Sequence, residues 1–418
     1  MDSEFRRNFL ALFSGTTLAQ VIPFLFAPFL SRVFSTEDYA IYGLYIAIFE
    51  VLAIIIAGRY ELTIVLPKKD SDATQLVYGA LFIALGLSLI VFVLTLFFNE
   101  KFSLMLNNPG LAPFLYFLPL SLFFYAVTRV LNNYLIRNKK FAAIAKYKMS
   151  HKTGEAVSAL SLGTLKWSNG LIIGDIIWRF LLSVLSVYSA LKIGIKETKV
   201  SFPKIKEMLI SYKDFPLYNS FPAVFNSMAT LLPVFLISKF YNEDLTGSFN
   251  FARTILVAPL ALISASVSQI LSQKLAQLVN EKKSIFQFLK PVGIILIILA
   301  ILMIGILYPF AEILFSFIFG VEWGVSGQIS SILVFAFALQ FVLTALYPVF
   351  YILKSIKVSS VWQVFYFLMI STMFFMDNLA FFDFLRMFVK LNLISFAIYG
   401  VLIYFVIRKY EKGLGNNE

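Results

Sequence analysis

Apolar residues fill the chain in long runs, and short polar segments separate them. Crossing a hydrocarbon core about 30 Å thick takes about 20 helical residues at a rise of 1.5 Å each. Runs of that length fall at 10–33, 40–66, 76–98, 112–136, 143–165, 170–191, 215–237, 247–272, 287–308, 327–353, 358–376 and 384–407. The pattern predicts an all-α, polytopic membrane protein of about twelve spans.

Composition leaves room for little else. The 418 residues are 60% hydrophobic with a mean hydropathy of +0.84, so no sizeable soluble domain is expected. Positive charge then sets the topology, because Lys and Arg resist translocation. One set of connectors holds Arg6 and Arg7, Lys68 and Lys69, Arg137, Lys139 and Lys140, the run from Lys192 to Lys213, Lys274 to Lys290, Lys354 and Lys357, and Arg408 to Lys412. The alternate connectors hold Arg32, Lys101, Lys166 and Lys239. Both termini are therefore expected on the cytoplasmic side, in a multi-pass inner (plasma) membrane protein.

Arg6 and Arg7 precede an apolar run as in a signal peptide, but the run continues to Leu30 with no small-x-small cleavage site, so it reads as the first span. The net charge of +12 reads as topology plus affinity for anionic membrane lipids, at about 1 kcal/mol per basic residue near the surface. It gives no support to a nucleic-acid partner. Zero cysteines exclude disulfides and thiolate metal sites.

The spans divide six and six around the basic connector. This predicts an N-terminal lobe at 1–195, a connector at 196–213 and a C-terminal lobe at 214–418. A shift of 207 residues lays Ser31, Arg32, Val33 and Phe34 on Ser238, Lys239, Phe240 and Tyr241, and Ala40 on Gly247. Lobes with an even number of spans share one orientation, so their repeat axis runs along the membrane normal and a cavity is expected between them.

The segments SRVFSTEDYAIYGLY at 31–45 and GRYELTIVLPKKDSDA at 58–73, with DFPLYNSFPAVFNSMATLLPVFLISKFY at 214–241 and GSFNFARTILVAPLALISASVSQILSQKL at 247–275, resemble the Wzx-type polysaccharide flippases. These are members of the multidrug/oligosaccharidyl-lipid/polysaccharide (MOP) exporter superfamily. The resemblance implies transport, without bond chemistry, of an undecaprenyl-pyrophosphate-linked oligosaccharide to the outer leaflet, for O-antigen, lipopolysaccharide or another polymer. It also implies polysaccharide polymerase and chain-length proteins as partners.

Ionisable groups inside spans cost at least about 2.5 to 3.5 kcal/mol on insertion scales and usually face a bundle interior or a wet cavity. Arg59, Arg129, Lys148, Lys152, Arg179 and Arg253 are the candidate lining of a cationic lumen for the pyrophosphate, since guanidinium forks bind phosphate bidentately. On a helix, Lys148, His151, Lys152 and Glu155 share one face about 100° wide. A plainer reading pairs Arg59 with Glu61 or Glu50, and Arg179 with Asp175, as ion pairs that fix packing. Glu50, Glu61, Glu155, Asp175 and His151 are the candidates for ion coupling. Pro23 and Pro28 in span 1, and Pro222 and Pro233 in span 7 beside Asn226, are candidate hinges. Residues 97–114 and 309–327 read as short interfacial segments.

Two competing functions remain. A cation-coupled multidrug exporter of the same superfamily needs an intramembrane carboxylate, commonly in span 1, where Phe9 to Val33 carry Arg32 as their only charge. A polysaccharide polymerase or ligase needs a large external loop, whereas the connectors on that side are about 18 residues or shorter. The absence of a Gly-x-x-x-x-Gly-Lys-Ser/Thr cradle and of paired His and Cys ligands predicts no catalytic residues, no cofactor and no metal.

Overall fold

A computed structural model describes residues 19–415. Arg6, Arg7 and the beginning of the first expected span lie outside them. The described residues form helices joined by short turns, with no strand among them. We number the longer helices α1 (Ala19–Leu30), α2 (Thr36–Ala53), α3 (Asp70–Met105), α4 (Leu118–Arg137), α5 (Phe141–Thr164), α6 (Gly170–Lys192), α7 (Phe202–Ser211), α8 (Asp214–Phe240), α9 (Glu243–Asn280), α10 (Phe286–Phe319), α11 (Gly324–Ala345), α12 (Ile356–Ser371) and α13 (Phe381–Gly415).

All but α7 stand where the expected spans stand. Among the described residues, 8 helices are long and apolar enough to cross a membrane, or 9 when the bent pair at 109–137 counts as one. The others fall short for identifiable reasons. Helix α1 is short within the described residues, α2 holds Glu37, Asp38 and Glu50 in its 18 residues, and α5 holds Lys146, Lys148, Lys152 and Glu155. These charges lower the hydropathy of α2 and α5, and charge on a span is tolerated where it faces other helices or a wet cavity rather than lipid.

Three expectations about boundaries are corrected. Span 2 is not one helix over 40–66: α2 stops at Ala53, and the chain turns through Gly58 and Arg59, both left-handed at φ +59° and +62°, into a short 3-10 helix at Tyr60–Thr63. Left-handed backbone costs an L-residue roughly 1–2 kcal/mol, and non-helical backbone at membrane depth survives only inside protein or beside a cavity. Span 4 is a pair of segments, Pro109–Leu115 and α4, bent by 51° where Pro119 occupies the first turn of α4. The segments at 97–114 and 309–327 begin later than expected, because α3 continues to Met105 and α10 to Phe319, leaving the short helices Pro109–Leu115 and Val321–Trp323.

The chain forms two compact units, Met1–Gly247 and Ser248–Glu418. The boundary falls later than the six-plus-six division at 195 and 214, so α8 and the first turn of α9 belong with the first unit. Their contacts explain it. Ser238 Oγ donates to the Leu106 carbonyl at 2.5 Å, Asn107 Nδ2 to the Tyr241 carbonyl at 3.3 Å, and Thr36 Oγ1 to Asp244 Oδ1 at 2.5 Å. Gly247 lies so close to α2 that a Cβ there would sit 1.7 Å from the Thr36 carbonyl oxygen and 3.1 Å from Ala40 N. Ala40 and Gly247, matched by the 207-residue shift, thus touch each other.

Within the first unit, Leu76, Val77 and Ala80 of α3 pack with Val130 and Leu131 of α4, Ala190 of α6 and Met208 of α7. Ser35 starts α2 with a reciprocal cap: its hydroxyl accepts from Asp38 N–H and its own N–H donates to Asp38 Oδ2. The second unit is built on aromatic stacks. Trp362 lies parallel to Tyr366 at 5.3 Å and 4.2 Å from Tyr399, while fully buried Trp323 meets Phe251 at 4.1 Å.

Candidate functional site

Inside the first unit, α2, α4, α5 and α6 enclose a cavity of about 380 Å³. Its walls follow from helical spacing. Ile46, Phe49, Glu50 and Ala53 form one stripe of α2, and Tyr125, Thr128, Arg129 and Asn132 one stripe of α4. His151 and Lys152 of α5, with Arg179 and Leu182 of α6, complete it. Helices α5 and α6 approach closely because Gly154 has no side chain: a Cβ there would meet the Trp178 ring at 1.9 Å, and the indole instead donates to Ser158 Oγ at 2.8 Å.

Each cation at the wall is held by an acid of a neighbouring turn or helix. Arg129 Nε lies 3.2 Å from Glu61 Oε1, Lys152 Nζ 2.7 Å from Glu155 Oε2, and Arg179 Nε 2.5 Å from Asp175 Oδ2. The acids are withdrawn: Asp175 is 1% and Glu61 2% exposed, against 30% for Arg129 and 41% for Lys152. Three cationic heads therefore reach the cavity with their counter-charges set behind them. The Arg179 guanidinium also lies 3.8 Å over the Phe49 ring, and Arg129 Nη1 donates to the Tyr125 hydroxyl at 2.7 Å.

His151 Nδ1 lies 3.8 Å from Glu155, and Tyr42 donates to the same carboxylate at 3.4 Å. Ligand atoms of His151, Glu155 and Asp175 come within 4.8 Å of one another. A metal ion entering there would have to displace the Lys152 ammonium and the Arg179 guanidinium.

The candidates separate accordingly. Glu50, Arg129, His151, Lys152 and Arg179 line the cavity, with Glu61, Glu155 and Asp175 bonded to its cations. Arg179 pairs with Asp175, but Glu61 pairs with Arg129 rather than Arg59. Arg59 is set in the break of span 2, and its buried Nε has no hydrogen-bond partner. Glu50 makes no ion pair among the described residues. Lys148 is on α5 outside the wall, and Arg253 belongs to the second unit. Around this cavity, then, Arg129, Lys152 and Arg179 are each paired with an acid, while the Glu50 carboxylate faces it without an ion-pair partner among the described residues.

Pro23 and Pro28 sit within α1, and Pro222 and Pro233 within α8; neither helix is broken at them. Arg32 Nη1 and Ser31 Oγ both donate to the Pro28 carbonyl. Sequence reasoning missed Tyr42, Phe49 and Tyr125. Their signal was aromatics at helical spacing: Tyr125 one turn before Arg129, and Tyr42 two turns before Phe49.

A sequence model for the family described as polysaccharide biosynthesis protein matches residues 29–328. The chain belongs to that family. No curated protein matches it in sequence. Among solved structures, it is similar to an inward-facing multidrug resistance MATE family transporter of the MOP superfamily, with a TM-score of 0.71, 14% identity, and 99% of this chain and 96% of the other covered. It is equally similar to the lipid II flippase MurJ in an inward closed conformation, with a TM-score of 0.71, 15% identity, and coverage of 97% and 87%. An outward-facing MATE family transporter matches with a TM-score of 0.64, 12% identity, and 96% of both chains covered. This family member is a multi-pass membrane protein with the fold of MOP superfamily transporters.

Proposed function

We propose that the chain is a flippase that carries an undecaprenyl-pyrophosphate-linked oligosaccharide across the membrane by alternating access and makes or breaks no bond. Family membership supports a role in polysaccharide biosynthesis. The observation that carries the reading to a site is the trio of Arg129, Lys152 and Arg179 at one cavity, each backed by an acid.

Asp175 occupies the Arg179 Nε and Phe49 holds the guanidinium plane. Its terminal N–H groups are then the ones available to an anion, and diphosphate oxygens suit them bidentately. About 380 Å³ is near the small end of ligand cavities, roughly 300–1,000 Å³. That size fits a diphosphate head rather than a whole oligosaccharide. Arg59 and Lys148, in the same unit, lend charge from nearby.

The seam of Ser238, Asn107, Thr36 and Gly247 ties α8 and the start of α9 to α2 and the end of α3. Opening it would bend α1 and α8 about their prolines, with both termini on the cytoplasmic side.

A second reading, export of cationic drugs, draws on Glu50, a carboxylate at the cavity wall with no ion pair. Glu61, Glu155 and Asp175 could couple a proton or cation only by releasing their present partners. Reconstitution decides between the readings. Vesicles holding the purified chain should translocate a fluorescent polyprenyl-diphosphate sugar, and Arg129→Lys and Arg179→Lys should each slow this at least tenfold at equal protein. Full activity of both variants, or uptake of cationic dyes without the lipid, would overturn the flippase reading.

A further inference from the structure

We infer that α7 is a membrane-surface helix that takes anionic lipid headgroups of the basic-side leaflet and, through Tyr60, positions the broken segment carrying Arg59 and Glu61. The inference rests on the chain being a membrane protein and holds whatever cargo it carries.

At 100° per residue the ten residues of α7 divide into three faces. Ile205 and Met208 are buried against α3, with Leu209 beside them; a Cβ on Gly79 would meet Ile205 and Leu209 at 3.1 Å. A second face is aqueous: Lys204 pairs with Glu207 at 2.7 Å and lies 3.9 Å from Asp72, and Ser211 caps back onto the Glu207 carbonyl. The third face carries Phe202, Lys206, Ile210 and, just beyond the helix, Lys213, all exposed. Phe202 is 69% and Ile210 54% exposed. Water does not explain two large apolar side chains between two lysines, whereas a headgroup boundary accommodates both kinds.

The position of α7 along α3 agrees. Contacts run from Asp72, in the charged first turn, to Phe82, whose ring stacks on Phe202 at 5.6 Å. That stretch covers about 15 Å at helical rise, where α3 passes from charged to apolar. Phe82 is itself 46% exposed, so the lipid-facing surface of α3 continues onto the third face of α7.

The connector is also fastened at both ends. Gln75 donates to the Lys199 carbonyl at 2.7 Å and accepts from Ser201 N–H, Tyr78 donates to the Ile195 carbonyl, and Tyr60 donates to the Leu209 carbonyl at 3.0 Å. Tyr60 immediately follows left-handed Arg59 and precedes Glu61, the partner of Arg129 at the cavity wall. Movement of α7 at the surface is thereby transmitted to the cavity through Tyr60, whose ring shares a core with Met208 and whose hydroxyl supplies the directional contact. Tyr60 is a positioning residue.

The cysteine-free chain makes the test direct. Full-length protein carrying a fluorophore at Ile210→Cys or Ser211→Cys is placed in phosphatidylcholine vesicles with or without phosphatidylglycerol, and quenching by spin-labelled lipid is read. Strong quenching at 210 and weak quenching at 211 is expected. Equal quenching at the two positions, or none at 210, overturns the surface assignment.

In the same vesicles the maleimide reaction rate of Thr128→Cys, on the cavity wall, should change several-fold on adding phosphatidylglycerol. Lys206→Gln with Lys213→Gln should shift the lipid concentration needed by about fivefold per lysine, and Tyr60→Phe should remove the change while the thermal midpoint moves little. A lipid effect that persists in Tyr60→Phe, or ignores the lysine changes, overturns the positioning role. Neither readout depends on transport.

Discussion

The two compact units treat polarity inside the membrane in opposite ways. The first carries Arg129, Lys152, Arg179 and their three acids within a few turns of one cavity. In the second, several buried polar groups make neutral bonds: Tyr366 donates to Asn392 Oδ1 at 2.8 Å, Asn392 to the Phe388 carbonyl, Trp362 to the Ser395 carbonyl and Ser264 to the Phe341 carbonyl. Its Arg386–Asp383 pair is exposed on both sides. The two units therefore differ in chemistry. One holds charge where charge is expensive, and the other supplies an aromatic and apolar frame.

That contrast is open to a direct challenge by removing one acid from each unit. Asp175→Asn strands the Arg179 guanidinium in a buried site, and loss of one partner of a buried pair costs about 3–5 kcal/mol. Asp383→Asn removes an exposed partner worth under about 1 kcal/mol. Thermal unfolding of the two variants in nanodiscs should differ accordingly, and similar midpoints would erase the distinction.

The junction gives a smaller effect. Gly247→Val forces a side chain into the Thr36 carbonyl, and overpacking typically costs about 1–3 kcal/mol. The measurable outcome is a lower yield of Thr36→Cys to Asp244→Cys crosslink, with the protein still folded. Unchanged crosslinking would mean that the seam is not a tight contact.

Smallest, and of opposite sign, is Arg59→Gly. It relieves left-handed backbone and should stabilise the chain by about 1 kcal/mol while slowing translocation. A stability gain with undiminished transport would remove Arg59 from the machinery.

Much of this architecture was legible beforehand. Apolar run length fixed the helices, and the resemblance of 31–73 and 214–275 pointed to the family that the match over 29–328 supports. The break at Gly58 and Arg59 was not legible, because GRYE sits inside a run that stays apolar on both sides, and the partner of the turned segment, the Leu209 carbonyl bonded by Tyr60, lies 149 residues away in sequence. The pairing of Glu61 with Arg129 was hidden for the same cause: a straight helix would have carried Glu61 along the α2 axis. The pair of Arg179 with Asp175 was legible as neighbours one turn apart; that of Arg129 with Glu61 was not, because the two come from separate segments and a linear sequence carries no record of which side of a wall a carboxylate occupies.

The contact of Gly247 with Thr36 and Ala40 has a further bearing on how such a chain changes. Gly247 lets α9 come nearer to the Thr36 carbonyl than any side chain would permit, so the join depends on one position having no side chain at all. Drift on the α2 face can be absorbed there, whereas drift at 247 must push two helices apart.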